Sequence, residues 1–228
     1  MLVGAVRHRL LTTYPRRLFS ADASTKNALR VLLRETAQSV AVVTTILPTD
    51  ASHFHGATLS SFTSIAMDPH PLVAFSLRIP SRMAAALQLG NPRSEHTPNM
   101  VVNILSSSQS TTAVHFSRPD LYPEPFRLSP HILSKEGIPI LAGSLGALSC
   151  NLIQCISLHG LRPQNLSKEA NEDVDAAESR EDGVLSELFI ARVLRVESLE
   201  GHEPAQRLPL LYHHRQYATA HPLESGQN

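Results

Sequence analysis

Apolar positions recur at helical spacing in a few stretches of this chain and at every second residue in many others, and that contrast predicts most of its elements. Ala28, Val31, Leu32 and Glu35 follow Ser24 or Thr25 as cap, which predicts a helix over 24–38. Ser39–Leu47 is β-branched and apolar on both faces, as in a buried strand; 48–52 then turns the chain back into a hairpin partner over 53–61. Over Leu72–Arg78 the period is two, with Val73, Phe75 and Leu77 on one face and Ser76 and Arg78 on the other. Ser81 reads as the N-cap of a helix running through Met83-Ala84-Ala85-Ala86-Leu87. After a polar loop over 91–98, Met100–Leu105 predicts a strand and Ser108–Phe116 a short helix capped by serine, followed by an irregular proline-rich run from Arg118 to Lys135. Leu145–Leu158 alternates, with Leu148, Cys150, Leu152, Ile156 and Leu158 on one face, and Leu185–Leu199 is a further long strand. Many short strands with hairpin-like links and brief helices predict a mainly β protein, a closed or partly closed antiparallel barrel.

At 228 residues the chain fits one such domain with a sizeable core. Lys plus Arg and Asp plus Glu are 20 each, so no global field draws it to nucleic acid or to an anionic membrane, and small molecules are the expected partners. No apolar run approaches the ~20 residues of a transmembrane helix. Cys150 and Cys155, five apart, fall on opposite faces of one strand and read as two buried thiols in a reducing compartment. Met1–Ala21 carries Arg7, Arg9, Arg16 and Arg17 and no acid before Asp22, the composition of a mitochondrial presequence. Arg17-Leu18-Phe19 before Ser20 resembles a site cut by the matrix processing peptidase. The expected organisation is a presequence over 1–21 and one domain over 22–228, in the mitochondrial matrix, with a disordered basic tail as the plainer reading of the first segment. Residues 162–183 are dense in Glu and Asp and poor in large apolar groups, which predicts a mobile acidic insertion between two barrel strands.

The chemistry concentrates in residues 56–82. Thr58, Ser60, Ser61, Thr63 and Ser64 interleave with Leu59, Phe62 and Ile65, so this stretch offers both hydrogen bonds and apolar contact to a flat ring; the alternative is an edge strand whose hydroxyls face water. The free amides at the helix start after Ser81 would accept an anion. Arg82 is unfavourably placed at a helix N-terminus unless an anion is present. Arg78, sharing its face with Ser76, either reaches the same anion or pairs with an acid across the barrel. Asn103, inside an apolar strand, needs partners, either structural or in a site. No G-x-G-x-x-G, P-loop or G-x-S-x-G is present, which excludes the dinucleotide-fold, nucleotide-hydrolase and α/β-hydrolase motifs. The pairs His53/His55 and His213/His214 bring no third ligand at metal spacing, so no metal site is expected.

Taken in order, the hydroxyl-rich strand, the Asp68-Pro69 turn, the apolar strand and the Ser81-Arg82 helix start resemble the flavin reductase-like FMN-binding family. Val40–Thr45, Val102–Ser106 with Gln109 and Phe116-Ser117, and Pro209–Tyr212 with Arg215 and Tyr217 extend the resemblance over residues 28–218. It implies a split β-barrel of Greek-key type that binds FMN, usually as a homodimer with flavin near the subunit interface. It also implies an NAD(P)H-dependent flavin reductase-like oxidoreductase, whose reduced flavin often passes to a separate monooxygenase. The implied cofactor-binding set is Thr58, Ser60, Ser61, Ser64, Ser76, Arg78, Ser81, Arg82, Asn103, Tyr212 and Arg215, with no side chain required as general acid or base. Tyr212, Arg215 and Tyr217 would close over the nicotinamide or a neighbouring flavin, or pack as a C-terminal edge. One departure stands out: many relatives carry a Gly-Asp-His triplet where this chain reads Val184–Phe189, and Ser186 takes the place of the histidine. That departure favours the alternative of a non-catalytic mitochondrial FMN-binding module. A third reading is a relative acting on its own organic substrate, as pyridoxamine-phosphate oxidases do.

Overall fold

The computed structural model describes residues 23–47, 50–90, 94–158, 185–197 and 208–221. The segments expected to be a presequence and an acidic insertion lie outside them. The chain divides into two units between Thr36 and Ala37. In the first, helix α1 (Ala23–Arg34) stops short of the predicted Gln38, because the Thr36 hydroxyl and amide both turn back to the Leu33 carbonyl, at 2.9 and 3.4 Å.

The second unit holds twelve strands among its described residues. They are β1 (Gln38–Ser39), β2 (Ala41–Leu47), β3 (Asp50–Leu59), β4 (Thr63–Ala66), β5 (Leu72–Ile79), β6 (Met100–Ile104), β7 (His131–Leu133), β8 (Pro139–Leu141), β9 (Gly146–Ser157), β10 (Leu185–Glu197), β11 (Leu211–His213) and β12 (Gln216–Ala218). Helices α2 (Arg82–Leu89), α3 (Ser110–Ser117) and α4 (Pro125–Leu128) are interspersed. Seven strands form one antiparallel sheet in the order β3-β2-β6-β9-β10-β5-β4; β1-β11-β12 and β7-β8 are small separate sheets.

Curling of the large sheet follows from chain length. Strands β3 and β4 occupy its opposite edges, yet only Ser60, Ser61 and Phe62 connect them. From Leu59 to Thr63 the chain can reach roughly 14 Å at most, so the two edges must curl together. The seam is locked at Ser61, whose hydroxyl donates to the Ser76 carbonyl at 3.2 Å and accepts the Ser76 amide at 2.9 Å. One side chain thus stands in for a backbone rung, and beyond it β3 and β5 diverge. The result is a mainly β split barrel, as expected.

Inside it, Val73, Phe75 and Leu77 of β5 are buried, as their alternation predicts, and Phe75 stacks on Phe189 of β10 at 5.5 Å. Met83 and Leu87 of α2 plug the same core. Ser81 caps that helix by accepting the Ala84 amide at 3.0 Å, also as predicted. The predicted helix over 108–116 is a 3-10 turn at Ser107–Gln109 followed by α3, with Ser106 and Gln109 forming a capping box. Within the proline-rich run predicted to be irregular, α4 and β7 form.

Strand β9 corrects the predicted alternation. Leu152 pairs with Ala191 and Gln154 with Ile190, which leaves Ile153 bulged and exposed and reverses the parity beyond it. Ile156 and Leu158 therefore do not join the core face, whereas Cys155 does, beside Cys150. The two thiols share a face and are both free. Cys150 is buried, which pushes its thiol up to about 12, while Cys155 is only half-buried. At the barrel's side, the Arg195 guanidinium forks onto Glu136 at 3.1 and 2.7 Å and also meets Glu197, so β10 is tied to the β7–β8 connection.

Candidate functional site

Where β3 and β5 part beyond the seam, a cleft of about 1280 Å³ opens. Strand β3 lies at the end of the sheet with β2 as its one partner, so alternate backbone N–H and C=O groups along residues 53–59 point away from the ladder and into the opening. The back wall is aromatic. Phe116 of α3 and Phe126 of α4 meet edge to face at 4.9 Å, and Phe54 of β3 meets Phe126 at 5.5 Å. Gly56 makes this packing feasible: a Cβ there would lie 2.6 Å from two Phe116 ring carbons. Tyr122, its ring centroid 4.7 Å from that of His115, continues the wall through the proline-rich segment.

The opposite wall is cationic. Ser76 and Arg78 project from β5 on the face away from the core, and Pro80 leads into Ser81, Arg82 and Met83 at the start of α2. The Arg82 and Met83 amides occupy the first helical positions and so have no intrahelical acceptor. Neither Arg78 nor Arg82 has a hydrogen-bond or ion-pair partner among the described residues. Glu124 is the sole carboxylate among the described lining residues, and it is already paired with Arg127 at 2.8 Å. His55, on β3, is held below its ordinary value by burial first, then by Arg82 and His53.

Of the sequence-predicted residues, Thr58, Ser60, Ser61, Ser76, Arg78, Ser81, Arg82 and Tyr212 line this one cleft. Their hydroxyls have different uses. Thr58 donates to the Ala113 carbonyl at 2.7 Å, fixing α3 against β3, and Ser61 is consumed at the seam. Ser60 and Ser76 keep side-chain hydroxyls without partners among the described residues. Tyr217 joins the cleft beside Tyr212, with ring centroids 5.7 Å apart; burial raises its hydroxyl while a hydrogen bond with Ser117 opposes the rise. Three candidates lie elsewhere. Ser64 sits past the seam on exposed β4. Asn103 is buried in β6, donating to the Val42 carbonyl at 3.1 Å and to Thr44 at 3.3 Å and accepting the Leu141 amide at 2.8 Å. Arg215 is in the β11–β12 turn, where it and His214 both adopt positive φ, at 63° and 49°.

Phe54, His55, Phe116, Tyr122 and Phe126 line the cleft, although from sequence His55 was weighed only as a metal ligand, Phe116 entered only through the family resemblance, and the other three were not singled out. They come from three separate segments and share no local period, so nothing in the sequence brings them together. Ser186 lines the cleft too, paired across the strands with Arg78. No cluster of three or more His, Cys, Asp or Glu groups able to hold a metal occurs among the described residues.

A mainly β split barrel with a cationic, aromatic-backed cleft defines the class, and the chain belongs to the flavin reductase-like domain family, whose model matches residues 33–221. The NADH-dependent flavin reductase of a Rhodococcus species is 30% identical over 125 residues, 55% of this chain and 64% of that relative's length. The NADPH-flavin oxidoreductase of Streptomyces viridifaciens is 30% identical over 143 residues, covering 61% of this chain and 68% of the relative. Among solved structures, nitrilotriacetate monooxygenase component B from Mycobacterium thermoresistibile superposes with a TM-score of 0.64 at 22% identity, over 90% of this chain and 92% of that one. The styrene monooxygenase flavin reductase of Pseudomonas putida S12 superposes at 0.57 with 25% identity, over 85% and 97%.

Proposed function

We propose that this protein is an NAD(P)H-dependent flavin reductase that binds FMN in the cleft between β3 and β5. The observation that carries the reading is the pair of unpartnered guanidinium groups, Arg78 and Arg82, beside the capped start of α2. Such a wall is costly to leave without an anion, and its donor chemistry fits a phosphate monoester. Ser60, Ser76 and the outward backbone groups of β3 would hold a polar ring edge, and the aromatic wall would keep water from its faces. Bound flavin would supply the redox chemistry, as the acceptor for hydride from NAD(P)H. The chain's own part is to bind, orient and desolvate, and no lining side chain is required to transfer a proton.

The test is direct. Purified protein loaded with FMN is titrated anaerobically with NADH and then NADPH, and bleaching of the flavin band is the expected result. Failure of both nucleotides at millimolar concentration overturns the reductase reading. A non-catalytic FMN-binding module would then take its place, a reading favoured by Ser186 in the cleft where the family resemblance implies histidine.

Three further parts belong to the same proposal. The reduced flavin passes to a separate monooxygenase, a reading supported by the names of the Mycobacterium and Pseudomonas proteins above. The protein acts as a homodimer, which light scattering measures. It works in the mitochondrial matrix after cleavage near Ser20, a reading supported by the arginine-rich, acid-free start. An intact Met1 terminus found by mass spectrometry of the native protein would overturn that last part.

A further inference from the structure

The cleft holds one polar group that the proposed flavin reading does not use. His55 lies on β3, across the opening from the α2 start, and lines the same cleft as Arg82. It is half-buried, and neither of its ring nitrogens has a hydrogen-bond partner among the described residues. An imidazole placed in that way lacks the hydrogen bonds that normally accompany burial. The charged and titratable groups around it are His53 on its own strand, Arg82 on α2, Arg78 on β5, His115 on α3, and the paired Glu124 and Arg127. Apart from Glu124, which Arg127 already engages, these groups are basic, and Arg82 opposes protonation of His55.

Resting on the flavin reading, we infer that His55 is a third ligand of the flavin phosphate and takes up a proton from solvent as that phosphate binds. In the free protein burial first, and then the nearby Arg82 cation, disfavour the charged ring. A dianionic phosphate placed between His55 and Arg82 reverses the sign of the local field and makes the imidazolium the favoured form. No bond is made or broken beyond the N–H of the ring, and the proton comes from buffer. The consequence is that phosphate affinity and proton uptake are linked, whereas the isoalloxazine end of the ligand is indifferent to both.

The experiment is calorimetric titration of the full chain with FMN and with riboflavin, in two buffers of different ionisation enthalpy, at pH 6.5 and pH 8. For the wild type, FMN binding at pH 6.5 should take up about half a proton more than riboflavin binding, because His55 gains most of one while the FMN phosphate, with a second pKa near ~6, gives up the fraction it still carries. In His55→Gln that excess should turn into a small release, which the phosphate alone supplies. The same variant should bind FMN about tenfold more weakly at pH 6.5 but only about twofold more weakly at pH 8, since a charge-assisted contact is lost only where the charge existed. Riboflavin affinity should not change. The wild-type comparison of FMN with riboflavin stands even if the variant misfolds. Equal proton uptake for the two ligands, or an equal loss of FMN affinity at both pH values, overturns the role of His55 and leaves the flavin reading intact. Absence of binding by either flavin overturns the flavin reading itself.

Discussion

Replacing Gly56 by alanine tests how the cleft wall is built. The new Cβ would sit 2.6 Å from both Cδ1 and Cε1 of Phe116 and 3.3 Å from Cζ of Phe126. Ordinary carbon contacts lie near ~3.5–4.0 Å, so the Phe116 ring must move by about 1 Å. It has little room, being buried and edge-packed on Phe126, which itself abuts Phe54. Overpacking of this kind costs about 1–3 kcal/mol, against which the stiffer unfolded chain returns about 0.4–1 kcal/mol. A net loss of about 1–2 kcal/mol should lower the melting temperature by roughly 2–8 °C for a domain of this size. Gly146→Ala is the control, because nothing lies within 4 Å of the Cβ it adds; its melting temperature should match or slightly exceed the wild type's. Trimming the ring in Gly56→Ala/Phe116→Leu should recover part of the loss, a coupling that a thermal-melt double-mutant cycle measures. A Gly56→Ala protein that melts with the Gly146→Ala control would refute the steric account of the wall.

Arg82→Ala should weaken FMN binding by about tenfold, the low end for a charge-assisted contact because the side chain is exposed, and the loss should shrink with added salt. Riboflavin should bind unchanged by fluorescence quenching, and equal losses for both ligands would remove Arg82 from the phosphate site. Arg215→Gly should raise stability by about 0.5 kcal/mol by relieving a left-handed φ of 63° in a two-residue turn, without altering FMN affinity, as melts and flavin titration would register. Glu136 gives a pH signature: the Arg195 guanidinium holds its carboxyl below the ordinary 4.5, so its stabilisation is full above that value and is lost as pH falls through the lowered one. Denaturant melts between about pH 5 and pH 3 should therefore show the wild type losing more stability than Glu136→Gln.

What could be read from the sequence was what is local. The alternation Val73, Phe75, Leu77 against Ser76, Arg78 was legible because a regular strand maps parity onto face, and Ser81 was legible because capping is a matter of three residues. The Ile153 bulge was not, since it is set by which β10 residue opposes which β9 residue, and the two cysteines were misplaced as a result. The His214-Arg215 turn lacks the Asn-Gly chemistry that announces such a hairpin, so its left-handed residues were hidden and Arg215 was a candidate for the wrong place. The hydroxyl run of 58–64 looked like one strand; the seam cuts it in two, which is why Ser60 faces the cleft and Ser64 does not. Asn103 was legible as a buried amide in need of partners, and it found them in β2 and the Leu141 amide at the end of β8.

The seam also sets an order of events. Strands β2 and β3 can meet as a hairpin, and so can β4 and β5, because each pair is adjacent in the chain. What joins the two halves is β10, laid between β9 and β5, and its residues 185–197 come late in synthesis. Pairing of such high sequence separation is slow, since loop closure must be endured before the contacts reward it. A nascent chain that stops before residue 185 already contains Arg78, Ser81 and Arg82, but only the short β4 link and the Ser61 seam then hold their strand near β3, with the β10 side of β5 unpaired. The residues that would grip an anion are thus encoded within a few dozen positions, while the strand that joins their half of the sheet to the other is made more than a hundred residues later, so flavin capture should report that β10 has paired during biosynthesis.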